Sequence, residues 1–219
     1  MSAVGGIQYL AVVSRPDLSY PCNALARYMG GSLKEHWKAV QHVLRYLQST
    51  KDIGLQFKGT CSGESLIEVY SDADFANGHG LKSISGILLR VYGNPVYWRS
   101  KRQPVIAGDT TEAELIAMSS AANELVWGKQ LLLDLDLVAV KPTLWGDNKS
   151  ANILANNPIA SDRSKHVRVK HLRVREYVEL DEIRVEWVGT VDQLADAFTK
   201  VLPGPALKSF RERLHLVDS

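Results

Sequence analysis

The chain has 219 residues, 45% hydrophobic and 23% charged, a length long for one domain and short for two full ones and a composition able to bury a real core. Its formal net charge of +2 excludes a globally basic nucleic-acid binder, so any basic patch must be local. Two cysteines, six histidines without metal-ligand spacing, no apolar run of roughly 20 residues and no signal-peptide pattern exclude a disulfide framework, soft-metal chemistry and a membrane span, and point to an intracellular, reducing compartment such as cytoplasm or nucleus.

In chain order, residues 1–13 form a mildly apolar segment stopped by Ser14-Arg15-Pro16-Asp17, where Asp17 is placed to cap a second helix from Leu18 to about Met29. Ser32-Leu33-Lys34-Glu35 reads as a capping box, and Trp37, Val40, Val43, Leu44 and Leu47 then fall on one helical face. Residues 51–57 read as a short strand or extended exit. Arg15, Lys34, Lys38 and Arg45 fit solvated helix faces better than phosphate contacts. These elements make a small helical subdomain, 1–57, and Lys58–Glu64 is small and polar, so 58–63 reads as a linker to a second domain, 64–219.

That second domain opens on the alternating run Leu66-Ile67-Glu68-Val69-Tyr70, a strand with one buried face. Strands at 84–91 and 95–100 follow, completing an antiparallel meander. A long helix is predicted from Thr111 to Asp134, buried through Leu115, Met118, Ala122, Leu125, Val126, Leu132 and Leu133. Next come a strand at 142–146, a helix at 148–156, an ambiguous stretch at 163–180 whose length without Gly or Pro favours helix, and a strand at 183–188. Thr190-Val191-Asp192-Gln193 reads as a capping box opening another helix, and a terminal helix spans 206–216. The order is that of an α/β fold with a mixed five-stranded sheet flanked by helices.

Acids stand at the ends of these elements: Asp72 and Asp74 after the first strand, Glu114 at the start of the long helix, Asp147 after the strand at 142–146, and Asp196 in the late helix. Each has a bland reading as a cap or dipole partner. Glu114 lies three residues after Thr111, and Asp147 directly precedes a helix. Taken together, Asp72, Glu114, Asp147 and Asp196 converge if the strand ending at Asp72 lies parallel to the strand ending at Asp147. Four gathered carboxylates repel in a low dielectric, and a hard cation with oxygen ligands, Mg²⁺, removes that penalty.

The stretches YSDADFANG, KSISG, VYWRSKRQPV, TTEAELIAM, GDNKSANILANNP, RSKHVRVKHLRVRE and GTVDQLADAFTKVLP resemble, in order and spacing, the ribonuclease H domain of copia-type retrotransposon polyproteins. GGIQYLAVVSRPDLSY and HWKAVQHVLRYLQSTKDIGLQF look like the end of the reverse transcriptase that precedes it. The polymerase segment usually reading YVDD is missing, which implies a C-terminal remnant in a fragment or shortened element copy.

The resemblance implies a ribonuclease H-like fold and a nuclease that cuts the RNA strand of RNA–DNA hybrids with two Mg²⁺ ions, Mn²⁺ substituting. Asp72 would bridge both ions, Asp196 would sit with the water-side ion, and Glu114 and Asp147 with the leaving-group ion. Glu112 and Asp74 would be solvated or outside the ligand set. No His stands at Val188-Gly189-Thr190, where cellular relatives often carry one in a flexible loop, which implies slower turnover. The implied partners are the hybrid and the polymerase region of the parent polyprotein. Between Arg163 and Arg175, six Arg or Lys and two His alternate with Val and Leu. Lys165, His166, Arg168 and Lys170 there are candidate phosphate contacts, with a solvated face as the equal alternative, and Asn148 is a candidate donor to the 2′-OH. Two other functions stay open: a catalytically idle remnant serving only as a nucleic-acid-binding or structural module, and an integrase-like enzyme using Glu182, which sits poorly at a turn.

Overall fold

Backbone alternation in the 67–74 region sets the architecture, because a strand with Ile67 and Val69 on one face must cover that face. The computed structural model describes residues 2–31, 34–59, 67–77, 80–137, 141–157 and 173–218. The chain forms two compact units, one from Met1–Phe57 with Lys200–Ser219 and the other from Lys58–Thr199.

The first unit begins with α1 (Ser2–Val13), a 3₁₀ turn at Pro16–Leu18, α2 (Ser19–Ala26), α3 (Lys34–Ser49) and β1 (Ile53–Leu55). Ile7, Leu18, Leu25, Val40 and Val43 share its core. The expected apolar face of α3 is wider than the contact it makes: Val40 and Val43 are buried, whereas Trp37 and Leu44 are exposed. Asp17 does not cap α2, whose first turn has Leu18 at the cap and no side-chain bond there. Asp17 is instead buried with Arg15, whose Nε and Nη2 donate to its two oxygens at 3.0 and 2.7 Å. Arg15 is therefore an internal ion-pair partner, neither solvated nor available to phosphate. Ser32 and Leu33 of the expected capping box lie outside the described residues.

In the second unit, β2 (Ile67–Asp74), β3 (Ile84–Val91), β4 (Asn94–Arg102), β5 (Thr143–Gly146) and β6 (Arg184–Trp187) form one sheet in the order β4-β3-β2-β5-β6. β2–β3 and β3–β4 are antiparallel, β2–β5 and β5–β6 parallel, giving the expected mixed five-stranded sheet. Helices α4 (Thr110–Asp134), α5 (Lys149–Asn156) and α6 (Arg173–Glu179) flank it. Ile67, Val69, Ile87, Leu89, Leu144 and Val185 of the sheet join Leu115, Met118, Ala122 and Leu125 of α4 in one core. Gly128 lets α4 approach closely, since a Cβ there would stand 2.8 Å from Ile67 Cδ1. Leu133, expected in the buried stripe, is exposed, while Leu132 is buried.

Two expectations near the C-terminus change. The capping box at 190–193 opens no α-helix; the chain makes 3₁₀ turns at Thr190–Asp192 and Leu194–Phe198. The terminal helix α7 (Gly204–Arg213) is followed by β7 (Leu216–Asp218), which pairs antiparallel with β1. Residues 200–219, assigned from sequence to the second domain, thus group with the first sixty.

Candidate metal centre

Sheet register brings the first two acids side by side. The last paired couple of parallel strands β2 and β5 is Tyr70 with Trp145, so Asp72 and Asp147 each lie two residues further along neighbouring strands. Asp72 is still held in register by β3, opposite Gly86.

The third acid arrives on the 3₁₀ turn at Leu194–Phe198, and Gly86 makes room for it. A Cβ at Gly86 would lie 2.6 Å from the Ala195 carbonyl oxygen, 2.8 Å from Thr199 Cγ2 and 2.9 Å from Phe198 Cβ. Gln193, buried, clamps the turn: its Nε2 donates to the Ser71 carbonyl on β2 at 3.0 Å, and its Oε1 accepts from the Ala195 N–H at 3.1 Å. As a result one carboxylate oxygen from each of Asp72, Asp147 and Asp196 lies within 4.8 Å of the others. Oxygen-only donors at that spacing fit a hard divalent cation such as Mg²⁺ and suit a soft one poorly.

Glu114 stands outside that trio but within its electrostatic reach. It is buried on the first turns of α4 and is not a cap. The cap is Asp109, which accepts from the Glu112 N–H at 2.7 Å, while the Glu112 carboxylate accepts from the Gly108 N–H at 2.7 Å. Burial above all, then the charges of Asp72 and Asp147, push the Glu114 carboxyl up to about 9; a backbone hydrogen bond with Ala73 opposes this and Asp196 adds to it. Asp147 is not a cap either. Asn148 caps α5, its Oδ1 accepting from the Ala151 N–H at 3.0 Å, so its Nδ2 is the atom a substrate contact would use. Asp74 accepts from Asn77 Nδ2 at 2.6 Å.

Around Asp147 the strand ends are stitched together. Asn152 Nδ2 donates to the carbonyls of Gly146 and Glu186, at 2.9 and 3.3 Å. Trp187 Nε1 donates to the Asp147 carbonyl at 3.1 Å, and Lys149 Nζ lies 5.0 Å from the centre of the Trp187 ring. Trp187 and Lys149 line a groove of about 630 Å³ together with Asn152, Ile153 and Asn156. Glu182 is ion-paired with Lys129, which occupies the carboxylate the integrase-like reading requires. Lys165, His166, Arg168 and Lys170 lie outside the described residues.

Gly86, Gln193 and Thr199 were missed by sequence reasoning. Thr199, fully buried, donates its hydroxyl to Asp72 Oδ2. A glycine opposite an acid in a predicted strand pair, and polar residues three before and three after Asp196, were the available signals.

No family model matches the chain. It is 36% identical over 217 residues to the retrovirus-related Pol polyprotein from transposon RE2 of Arabidopsis thaliana, covering 98% of this chain and 15% of that protein. The Pol polyprotein from transposon TNT 1-94 of Nicotiana tabacum is also 36% identical, over 92% of this chain and 15% of its own length. The solved structure of LC11-RNase H1, isolated from compost, aligns with a TM-score of 0.47 at 14% identity, over 65% of this chain and 96% of that one. The chain thus spans about 15% of the length of the curated relatives it matches. With that identity running through nearly all its residues, the chain belongs to the copia-type family of retrovirus-related transposon Pol polyproteins.

Proposed function

We propose that residues 64–199 are a metal-dependent ribonuclease H that hydrolyses the RNA strand of RNA–DNA hybrids, and that residues 1–57 are the end of the preceding reverse transcriptase. The observation that carries this is the Asp72–Asp147–Asp196 trio within 4.8 Å, two of its acids at the ends of adjacent parallel strands and the third on the 194–198 turn, with Glu114 buried beside it. These residues would hold Mg²⁺, or Mn²⁺ in its place, as one ion or a pair; the metal, when bound, activates water and neutralises charge developing on the phosphodiester. The chain's own part is to fix the ligands. Parallel pairing sets Asp72 beside Asp147, and Gln193 ties the Asp196 turn to β2. Binding a dication favours the charged form of Glu114, so metal uptake there releases a proton.

Outside the acids, Asn148 through Nδ2 is the proposed contact to the 2′-OH, and Lys165, His166, Arg168 and Lys170 the proposed phosphate contacts. The hybrid is the proposed substrate and the polymerase region of the polyprotein the proposed neighbour. No helix among the described residues is long and apolar enough to cross a membrane.

Incubating the protein with an end-labelled hybrid, with Mg²⁺ or with EDTA, tests the reading. The expected outcome is Mg²⁺-dependent cleavage of the RNA strand leaving 5′-phosphate and 3′-hydroxyl ends, lost by orders of magnitude in Asp72→Asn while the far-ultraviolet circular dichroism stays unchanged. A parent protein that binds hybrid but never cuts it, with either metal, would replace this reading with that of an idle binding module.

A further inference from the structure

We propose that Thr199 is a positioning residue for the metal ligands, locking Asp72 on the central strand to the turn that carries Asp196; this rests on the metal-nuclease reading above. Thr199 is fully buried, and its hydroxyl, backbone N–H and methyl each meet a defined neighbour. Its hydroxyl donates to Asp72 Oδ2. Its backbone N–H donates to the Asp196 carbonyl at 3.2 Å, and the same carbonyl lies 3.1 Å from its hydroxyl oxygen. Its methyl sits where a side chain at Gly86, the β3 partner of Asp72, would be.

A hydroxyl has one proton to give, and a carboxylate is a stronger acceptor than a peptide carbonyl. The proton therefore goes to Asp72, and the Asp196 carbonyl keeps the backbone N–H. A buried threonine serving packing alone needs only its methyl. Here the hydroxyl restricts rotation of a carboxylate whose oxygen stands within 4.8 Å of two others, while the backbone of the same residue holds the end of the turn bearing one of them. One residue thus sets the spacing between two elements distant in sequence. Partners of this kind, touching the ligand rather than the metal, are typically worth about 10–100-fold in metal affinity.

The test compares Mg²⁺ affinity in the full chain, read from thermal melts across a Mg²⁺ titration, for the parent, Thr199→Val and Thr199→Ser. Val keeps the shape and removes the hydroxyl; Ser keeps the hydroxyl and removes the methyl. The proposal expects Val to weaken Mg²⁺ binding by about 10–100-fold, with Ser close to the parent. If Val does not fold, Thr199→Ala and Thr199→Ser, both lacking the methyl, isolate the hydroxyl in the same way. Parent-like affinity in Val, or Ser weakened as much as Val, overturns the positioning role and leaves Thr199 a packing residue. A parent protein whose melting ignores Mg²⁺ overturns the metal-site reading itself, a result distinct from the first.

Discussion

In the first unit, Arg15 is buried beside Asp17 with an Nη2–Oδ2 distance of 2.7 Å. Its Nη1 and Nη2 also reach the Thr50 carbonyl and hydroxyl at 2.9 Å, and the Tyr46 hydroxyl donates to the same aspartate. In the second unit, burial and neighbouring like charge act in the same direction on Glu114 and drive its carboxyl up to about 9. Both regions take ionisable groups out of water. The first returns opposite charge and hydrogen bonds from within the chain, so the network is complete and reads as structure. The second gathers acids whose mutual repulsion the fold leaves for something else to relieve, the pattern that marks a functional site.

Breaking the complete network is expected to have the largest stability effect. Arg15→Ala leaves Asp17 buried without its counter-charge and should destabilise the helical unit by about 3–5 kcal/mol. Replacing both partners with apolar residues of similar volume, Arg15→Met with Asp17→Leu, should recover most of that loss. Denaturant unfolding monitored by hydrogen exchange in residues 2–49 separates the two. A single mutant as stable as the parent would mean that the pair contributes nothing and that the contrast between the two regions is mistaken.

An intermediate effect is expected at Gly86, where the acid cluster depends on backbone packing. Gly86→Ala places a methyl 2.6 Å from the Ala195 carbonyl oxygen, a contact no side-chain rotation removes. Overpacking of this kind typically costs about 1–3 kcal/mol, and here it displaces the turn that carries Asp196 and Thr199. Lower stability should therefore come with weaker Mg²⁺ binding, measured on one set of melts. Loss of stability with Mg²⁺ affinity intact would separate packing of the turn from construction of the site.

These two regions also show what the sequence could reveal. The sheet was legible because alternation at 67–70 and turn residues between strands are local signals. Asp72 and Asp147 were legible as neighbours because each lies at or just past the end of a recognisable strand, in two strands that could pair in parallel. The devices that aim them were not. Gln193 reaches Ser71 and Thr199 reaches Asp72 across more than a hundred residues, and neither contact leaves a periodic trace. Local signals also misled where packing overrode them. Thr190 to Gln193 has the letters of a capping box, yet the chain turns as a 3₁₀ helix, and Gln193 spends its amide on β2 instead. Asp17 has the position of an N-cap, but Arg15 two residues earlier offers a stronger, charged partner.

The effect that starts smallest lies at Glu114, grows with pH, and tests the repulsion directly, in metal-free protein. Its carboxyl titrates near 4.5 when unperturbed and at about 9 in the fold. Below the lower value both folded and unfolded chains carry the proton, and the residue makes no difference to their balance. Between the two values the unfolded chain releases the proton while the folded chain retains it. The native state then binds more protons, and this residue's contribution to stability falls as pH rises. Glu114→Gln, which cannot ionise, should leave stability below pH 4.5 little changed and raise it as pH increases, by on the order of 1 kcal/mol near pH 5, or about 2–4 °C in melting temperature for a unit of this size, and by more above it. Melts in EDTA from pH 5 to 9 measure the gap between parent and mutant, which should widen steadily. In excess Mg²⁺ the order should reverse, because the ion favours the charged carboxylate and stabilises the parent by mass action, while the amide gives it a weaker ligand. A gap that stays constant with pH, or a Mg²⁺ response identical in both proteins, would show that Glu114 is merely buried and takes no part in the site.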